Sequence, residues 1–353
     1  MKGVVGIKAL NEERHIARAI ESALAAVQPL GGGVILADSS SSDRTVEIAS
    51  RFPVTIYRLS NPLERGCGTS AQLAFQHVDA DYFYLLDGDM ALAPDFLAAA
   101  IAHLDAHPDC AGVGGQMREL NLESKEYQIR ARAAEANSSF RPGPVDRLDG
   151  GGLYRVAAIR EIGHFADRNL HAFEELELAT RLSQAGWTLA RIDRHAFDHR
   201  GHSIDGLPLL MRRLRSRYAD GAGEALRAAL RKPHLLLLMR RLGHIRHGAI
   251  VMLWWLSLVI AAAIAPFVLP LLLLAPVALL SWRRGSLRLG AYSFATWNVY
   301  TIGLIRGLLR RRIPPETPIA AVAIRQADGP DPSFRTSAQK AGSTGPLPKP
   351  QTI

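Results

Sequence analysis

Two acidic pairs stand out in this 353-residue chain for the chemistry they can do. Asp87-Gly88-Asp89 ends the apolar run Tyr82-Phe83-Tyr84-Leu85-Leu86. Such a run, rich in aromatics and stopping at an acid, reads as a buried strand whose C-terminal end offers two carboxylates in a crevice, where open α/β sheets bind ligands. Carboxylates one residue apart, on a turn loosened by Gly88, can face a hard divalent cation (Mg2+ or Mn2+) that also holds substrate phosphates. The same triplet also occurs in ordinary turns. Glu174-Glu175, the second pair, heads a stretch in which Leu178 and Leu182 stand four apart on a helix face. The macrodipole and free N–H groups favour carboxylates there, so this helix alone reads the acids as complements of the dipole. His195, His199 and His202 follow a later strand; a neutral imidazole such as His199 can be a third metal ligand, and a hydrated surface histidine is the other reading.

The elements that position these groups follow from periodicity. Val4–Ile7, Val34–Ala37 and Val54–Leu59 read as strands, and helices are expected from Asn11-Glu12-Glu13, over Thr45 to Phe52 and over 71–78. Four strands alternating with three helices within ninety residues predict a parallel, doubly wound arrangement. Asp38-Ser39-Ser40-Ser41-Ser42-Asp43-Arg44-Thr45, small and polar between strand and helix, supplies N–H groups for an anionic or ribose ligand, or simply a capping loop. Arg65 opens a flexible loop through Ser70. A helix is expected from Pro94-Asp95 to about His103, strands at Ala111–Met117 and Gly186–Ile192, and a charged helical excursion at 121–147, a lid or acceptor-side piece.

Ile7-Lys8-Ala9-Leu10-Asn11-Glu12-Glu13, the Asp38–Thr45 stretch and Leu86-Asp87-Gly88-Asp89, in this order and spacing, resemble the nucleotide-sugar half of inverting glycosyltransferases of family 2. The resemblance implies a GT-A fold, an α/β doubly wound mixed sheet. It implies a nucleoside-diphosphate sugar as donor, with Lys8, Ala9, Asn11 and Glu12 at the base, Asp38 at uracil or ribose, and Ser39 and Arg65 beside them. Asp87 and Asp89 then hold the metal-bound diphosphate, with His199 as candidate third ligand. Asp149-Gly150-Gly151-Gly152-Leu153-Tyr154-Arg155 matches the family's Gly-rich turn below the acceptor, where Gly151 and Gly152 let backbone approach a sugar; a plain tight turn is the alternative. By position Glu175 is the base that deprotonates the acceptor hydroxyl and Glu174 orients it. The chain departs from the family pattern at Lys8 (often Pro), Leu10 (often aromatic), Ser39 and Ser40 (often Asp and Gly) and Glu175 (usually Asp). A glutamate base is one methylene longer, so its backbone must sit further back or its acceptor must differ.

The formal charge of +9 is unevenly spread. Residues 201–312 hold seventeen Arg/Lys against Asp205, Asp220 and Glu224, a local net of +14, so the rest is acidic. The excess flanks apolar segments, which points to lipid headgroups or phosphate and away from nucleic acid. Arg213 and Arg217 are candidates for an acceptor or diphosphate oxyanion. Cys67 and Cys110 make neither a disulfide framework nor a zinc spacing. Met1-Lys2-Gly3 leads into a strand with no signal-peptide core, so residues 1–200 are expected in the cytoplasm. Gly248 to Ser281 carries no charge over 34 residues, about 50 Å as a straight helix, too long for a core of roughly 30 Å. With Pro266 and Pro270 as a bend, a helical hairpin is expected, and 289–309 as an interfacial helix or a true span. The expected division is a GT-A domain at 1–205, basic juxtamembrane helices at 206–247, membrane helices at 248–312 and a disordered tail at 326–353.

Function is therefore expected to be transfer of a sugar to a hydroxyl of a membrane-proximal acceptor, a lipid-linked saccharide or an envelope or exopolysaccharide precursor, at the cytoplasmic membrane with the catalytic domain facing the cytoplasm. A polyprenyl phosphate is the alternative acceptor. A non-catalytic nucleotide- or glycan-binding membrane partner, within a biosynthetic complex, is the alternative from another class.

Overall fold

The computed structural model describes residues 3–120, 141–200 and 206–325. Most of the expected excursion at 121–147, the whole tail at 326–353 and His202 lie outside the described residues.

Strands β1 (Gly3–Ala9), β2 (Gly33–Asp38), β3 (Thr55–Leu59) and β4 (Tyr82–Asp87) lie parallel in the order β3-β2-β1-β4. Helices cover both faces, which is why these strands read as continuous apolar runs. Helix α1 (Ile16–Val27) buries Ile16, Ala19, Ile20 and Ala23 against one face. It starts later than expected because the preceding loop has other bonds to make. Asn11 adopts a left-handed φ of 59°. The N–H groups of Asn11, Glu12 and Glu13 donate to Ser41 Oγ (2.9 Å), Thr45 Oγ1 (2.8 Å) and Asp43 Oδ2 (3.1 Å). The loops after β1 and β2 are thereby sewn together ahead of α2 (Thr45–Ala49). Helix α3 (Cys67–Phe75) starts earlier than expected, since Gly68 has no Cβ to strike Asp167 O and its N–H donates to Leu170 O at 2.9 Å.

Strand β5 (Met90–Leu92), helix α4 (Phe96–Ala106) and strands β6 (Cys110–Glu119), β7 (Gly143–Pro144), β8 (Gly152–Arg155) and β9 (Thr188–His199) come next, with helices α5 (Val156–Glu161) and α6 (Glu174–Gln184) between the last two. The sheet continues β4-β8-β6-β9-β5, with β7 on β9. β8 is antiparallel to both β4 and β6 while β6 and β9 are parallel, so the whole is mixed.

Helices α7 (Gly206–Arg215), α8 (Gly221–Ala229), α9 (Leu235–Arg241), α10 (His244–Ile264), α11 (Leu269–Arg284) and α12 (Leu287–Leu309) form the remainder. Among the described residues two segments, His244–Ile264 and Pro266–Arg284, are long and apolar enough to cross a membrane, with mean hydropathies of 2.0 and 1.7. Their side chains do not form a protein core: Leu253, Val259, Ile264, Phe267, Leu271 and Trp282 are 66–83% exposed. The chain breaks at Ala265-Pro266, but α11 packs chiefly on α12 and much less on α10. Helices α10 and α11 also meet directly, Trp254 Nε1 of α10 donating to Leu272 O of α11 at 2.9 Å. Gly285, at φ 66°, turns α11 into α12, and Gly290 lets the two backbones close at Ser281.

The C-terminal half of α12 docks on α8, where Gly303 and Gly307 admit the backbone of Ala219 and Asp220. Arg306, Arg310 and Arg312 pair with Asp220 (2.8 Å), Glu224 (3.0 Å) and Asp167 (2.7 Å). Much of the positive flank that the sequence assigns to headgroups is therefore taken up by protein acids. A strap then runs back over the sheet domain. Asn169 and Ile313 exchange bonds of 2.9 and 2.8 Å, Arg168 Nη1 donates to Thr317 O at 2.9 Å, and Gln76 and Ile319 pair both ways at 2.9 Å. It ends in β10 (Ala321–Arg325), antiparallel on β3, a strand that sequence reasoning missed.

Candidate active site

The C-terminal ends of β1, β2 and β4 share one rim. Lys8 on β1 is in register with Asp87 on β4, and its Nζ lies 3.1 Å from Asp87 Oδ1 and 3.0 Å from Glu174 Oε1. Burial opposes its charge, yet Asp87 and Glu174 hold the ammonium well above the ordinary lysine range. Expected at the nucleotide base, Lys8 is placed between the two acidic pairs.

Asp89 faces His199, whose Nε2 is 3.5 Å from Asp89 Oδ2 and whose Nδ1 is 2.5 Å from Glu119 Oε2. Burial works against charge on both groups and the pairing prevails: Asp89 sits below the usual carboxylate range, and Asp89 with Glu119 raises His199 to about 10. Half-buried Glu12 is pushed up to about 8, first by burial and then by Asp89 and Asp87. The rim thus carries more negative charge than its own cations neutralise. Among the described residues no three His, Cys, Asp or Glu side chains are gathered as a ready-made metal shell. A small divalent ion that takes one or two carboxylates and completes itself with substrate phosphates does not need one. Asp87 and Asp89, with a histidine whose other nitrogen is anchored on a carboxylate, fit such an ion.

Beside the rim, Asp38 is buried and pushed above its ordinary value by that burial, against the N–H of Ser41 at 3.0 Å and Arg58 at 3.6 Å. Ser39 N–H donates to Ala9 O at 2.9 Å. Arg65 donates through Nε to Ser39 O at 2.7 Å and through Nη2 to Ser40 O, so it braces this loop from behind.

The opposite side of the crevice is built on Phe173, which holds a left-handed φ of 66° immediately before α6 and so aims Glu174 and Glu175 inward. Few bulky residues adopt that conformation, which marks a constrained turn. Glu224 of α8 secures it by accepting the His171 N–H at 2.9 Å and contacting His171 Nδ1 at 3.0 Å. Glu175 Oε1 accepts the Gly150 N–H at 3.2 Å. Burial, then Glu174 and Asp149, raise Glu175 to about 8. Gly150 and Gly151 have φ of 81° and 100°, and a Cβ on Gly151 would lie 2.5 Å from Leu85 O, while one on Gly152 would lie 2.6 Å from Leu148. This turn is required both to seat β8 and to present an N–H to Glu175.

Arg213 stands 5.5 Å over the Tyr218 ring, and Arg217 turns the chain into Tyr218 at φ 65°. Among the described residues neither bonds to the rim; it is Arg212 whose charge reaches Glu12. Glu119, Asp149 and Glu224 escaped sequence reasoning as site residues. Glu119 meets His199 only through the β6/β9 register, which passes through shifts that no local pattern announces.

Residues 4–163 match the family described as glycosyl transferase family 2. The chain carries a family 2 glycosyltransferase domain. It is 26% identical over 201 residues to the succinoglycan biosynthesis protein ExoA of Rhizobium meliloti (strain 1021), covering 54% of this chain and 61% of that protein. It is 28% identical over 120 residues to the probable glucomannan 4-beta-mannosyltransferase 9 of Oryza sativa subsp. japonica, covering 31% and 22%. The chain thus spans less than two thirds of the length of these relatives. Among solved structures, the mannosyltransferase PcManGT from Pyrobaculum calidifontis in complex with GDP-Man and Mn2+ superposes with a TM-score of 0.59 at 19% identity, over 87% of each chain. S. aureus TarS 1-349 superposes with a TM-score of 0.52 at 14% identity, over 95% of this chain and 99% of that one. At these identities the likeness establishes the GT-A fold of the glycosyltransferase domain.

Proposed function

We propose that the chain is an inverting glycosyltransferase that moves a sugar from a nucleoside-diphosphate sugar to a hydroxyl of a membrane-proximal acceptor, such as a lipid-linked saccharide or an exopolysaccharide precursor. One observation carries the reading: Glu175 faces the same crevice as Asp87 and Asp89, held by Gly150 and raised to about 8 by burial and neighbouring acids. A carboxylate in that position is a stronger base than an exposed one and can take the acceptor proton. Lys8, tied to Asp87 and Glu174, fixes the separation of donor-side and acceptor-side acids. Asp87, Asp89 and His199 would hold a divalent cation, which when bound supplies positive charge for a leaving diphosphate. The loop of Asp38, Ser39 and Arg65 would seat the nucleoside. Gly151 and Gly152 would lie below the acceptor, and Glu174 would orient Glu175. The two exposed apolar helices support attachment to the cytoplasmic membrane, with the crevice on the side where nucleotide sugars are available.

The test is transfer and hydrolysis across a panel of nucleotide sugars with Mn2+, for the wild type, Asp89→Ala and Glu175→Gln. Both variants are expected to lose turnover while remaining folded. Turnover unchanged in both would remove the assignment and favour a non-catalytic binding partner.

A further inference from the structure

A cavity of about 580 Å³ opens on the Glu177–Arg181 face of α6, walled by the end of α8 and by the strap from Arg312 to Glu316. None of its lining residues belongs to the rim. Two histidines face it, His164 at 6% and His234 at 7% exposure. Among the described residues neither ring nitrogen of His164 has a hydrogen-bond partner, nor has Nε2 of His234. Glu316 Oε1 is 3.9 Å from His164 Nδ1, too far for a bond. Buried polar atoms are nearly always satisfied, so three bare nitrogens around one hollow ask for something that completes them.

Charge decides what that is. Arg181, Lys232 and Arg312 all act on both imidazoles. Glu177 takes up Arg181 with bonds of 2.7 and 2.9 Å, and Asp167 takes up Arg312 at 2.7 Å. Lys232 has no ion-pair partner among the described residues. The remaining acid, Glu316, has its side chain 64% exposed and can turn to water. Burial, then Arg181, push His164 down to about 3, so the imidazole is neutral and offers one ring N–H to a ligand. Apart from the imidazoles, no aromatic ring among the described residues lines the hollow, so none of them gives a sugar ring a stacking platform.

We infer that this hollow binds a phosphate-type oxyanion, held by the Lys232 ammonium and the ring N–H groups of His164 and His234. It is separate from the donor site and does not depend on the reaction proposed above. Its source is either soluble phosphate or the headgroup of a lipid.

The full chain in a neutral detergent would be titrated calorimetrically with inorganic phosphate, and separately with short-chain phosphatidic acid against short-chain phosphatidylcholine. Saturable binding of phosphate, or of phosphatidic acid but not phosphatidylcholine, is expected. Phosphate binding on its own identifies a soluble source, and binding of phosphatidic acid alone identifies a headgroup. Lys232→Glu, at an exposed position that leaves folding intact, is expected to weaken binding about tenfold or more. His234→Phe is expected to weaken it as well, while Arg240→Glu, an exposed charge elsewhere, leaves it unchanged. No saturable binding, or equal binding by Lys232→Glu and wild type, or equal loss in Arg240→Glu, would overturn the inference.

Discussion

Three acids occupy the first turn of α6, and they meet opposite fates. Glu177 is 2% exposed and locked to Arg181 by two bonds, with Arg181 further donating to the carbonyls of His164 and Phe165 at 2.7 and 2.9 Å. Every charge in that group has its partner. Glu175, two residues earlier, has one backbone N–H and a neighbourhood of other acids that drives it to about 8. Glu177 is fully paired and holds the fold together, while Glu175 is left in conflict with its surroundings, as the base of the proposed reaction would be.

The contrast can be broken from either side. The largest effect is expected for Glu175→Gln, which should lower transfer by about a thousandfold in a single-turnover assay while leaving nucleotide-sugar binding intact in a calorimetric titration. Glu177→Ala should do the reverse. Leaving Arg181 buried without its partner is expected to cost about 3–5 kcal/mol in denaturant unfolding, with kcat per folded molecule unchanged. Lys8→Met should fall between them, lowering kcat about tenfold by loosening the geometry of both acid pairs, and Lys8→Arg should restore part of it.

The smallest effects are graded ones with pH. Under the proposed mechanism Glu175 takes the acceptor proton only when ionised, so kcat/KM is expected to rise through pH 7 and level off above about 8. Its folded value lies above its ordinary 4.5, so the folded state holds the proton more tightly and the acid's cost to stability grows as pH rises from 4.5 to 8. Glu175→Gln should therefore melt a few degrees higher than wild type at pH 8 and no higher at pH 4, by differential scanning fluorimetry.

Much of the β3-β2-β1-β4 half of the sheet was legible because its physics is local. Each of the first four strands is buried on both faces and so announces itself as an apolar run, and the acids at the end of β4 fall where the run stops. The helix before Ile16 was misplaced because Asn11, Glu12 and Glu13 spend their N–H groups on side chains some thirty residues away. The bond from Lys8 to Glu174 spans 166 positions, and only the folded sheet reveals it. The arginines around α12 read correctly as a basic cluster, but composition could not say that Asp167, Asp220 and Glu224 would claim them. The strand Ala321–Arg325 is five residues long and mostly exposed, too brief a pattern to stand out next to the apolar helices before it.

That short strand alters the mechanics of the whole chain. Because the strap and β10 fasten the segment beyond α12 to the far edge of the sheet, α10 to α12 form a handle with both ends rooted in the same body. Under the membrane-attached reading, the enzyme is moored at two points, so its crevice cannot swivel freely on a single tether. The height at which a bilayer-borne acceptor must present its hydroxyl is then set by the protein's own geometry.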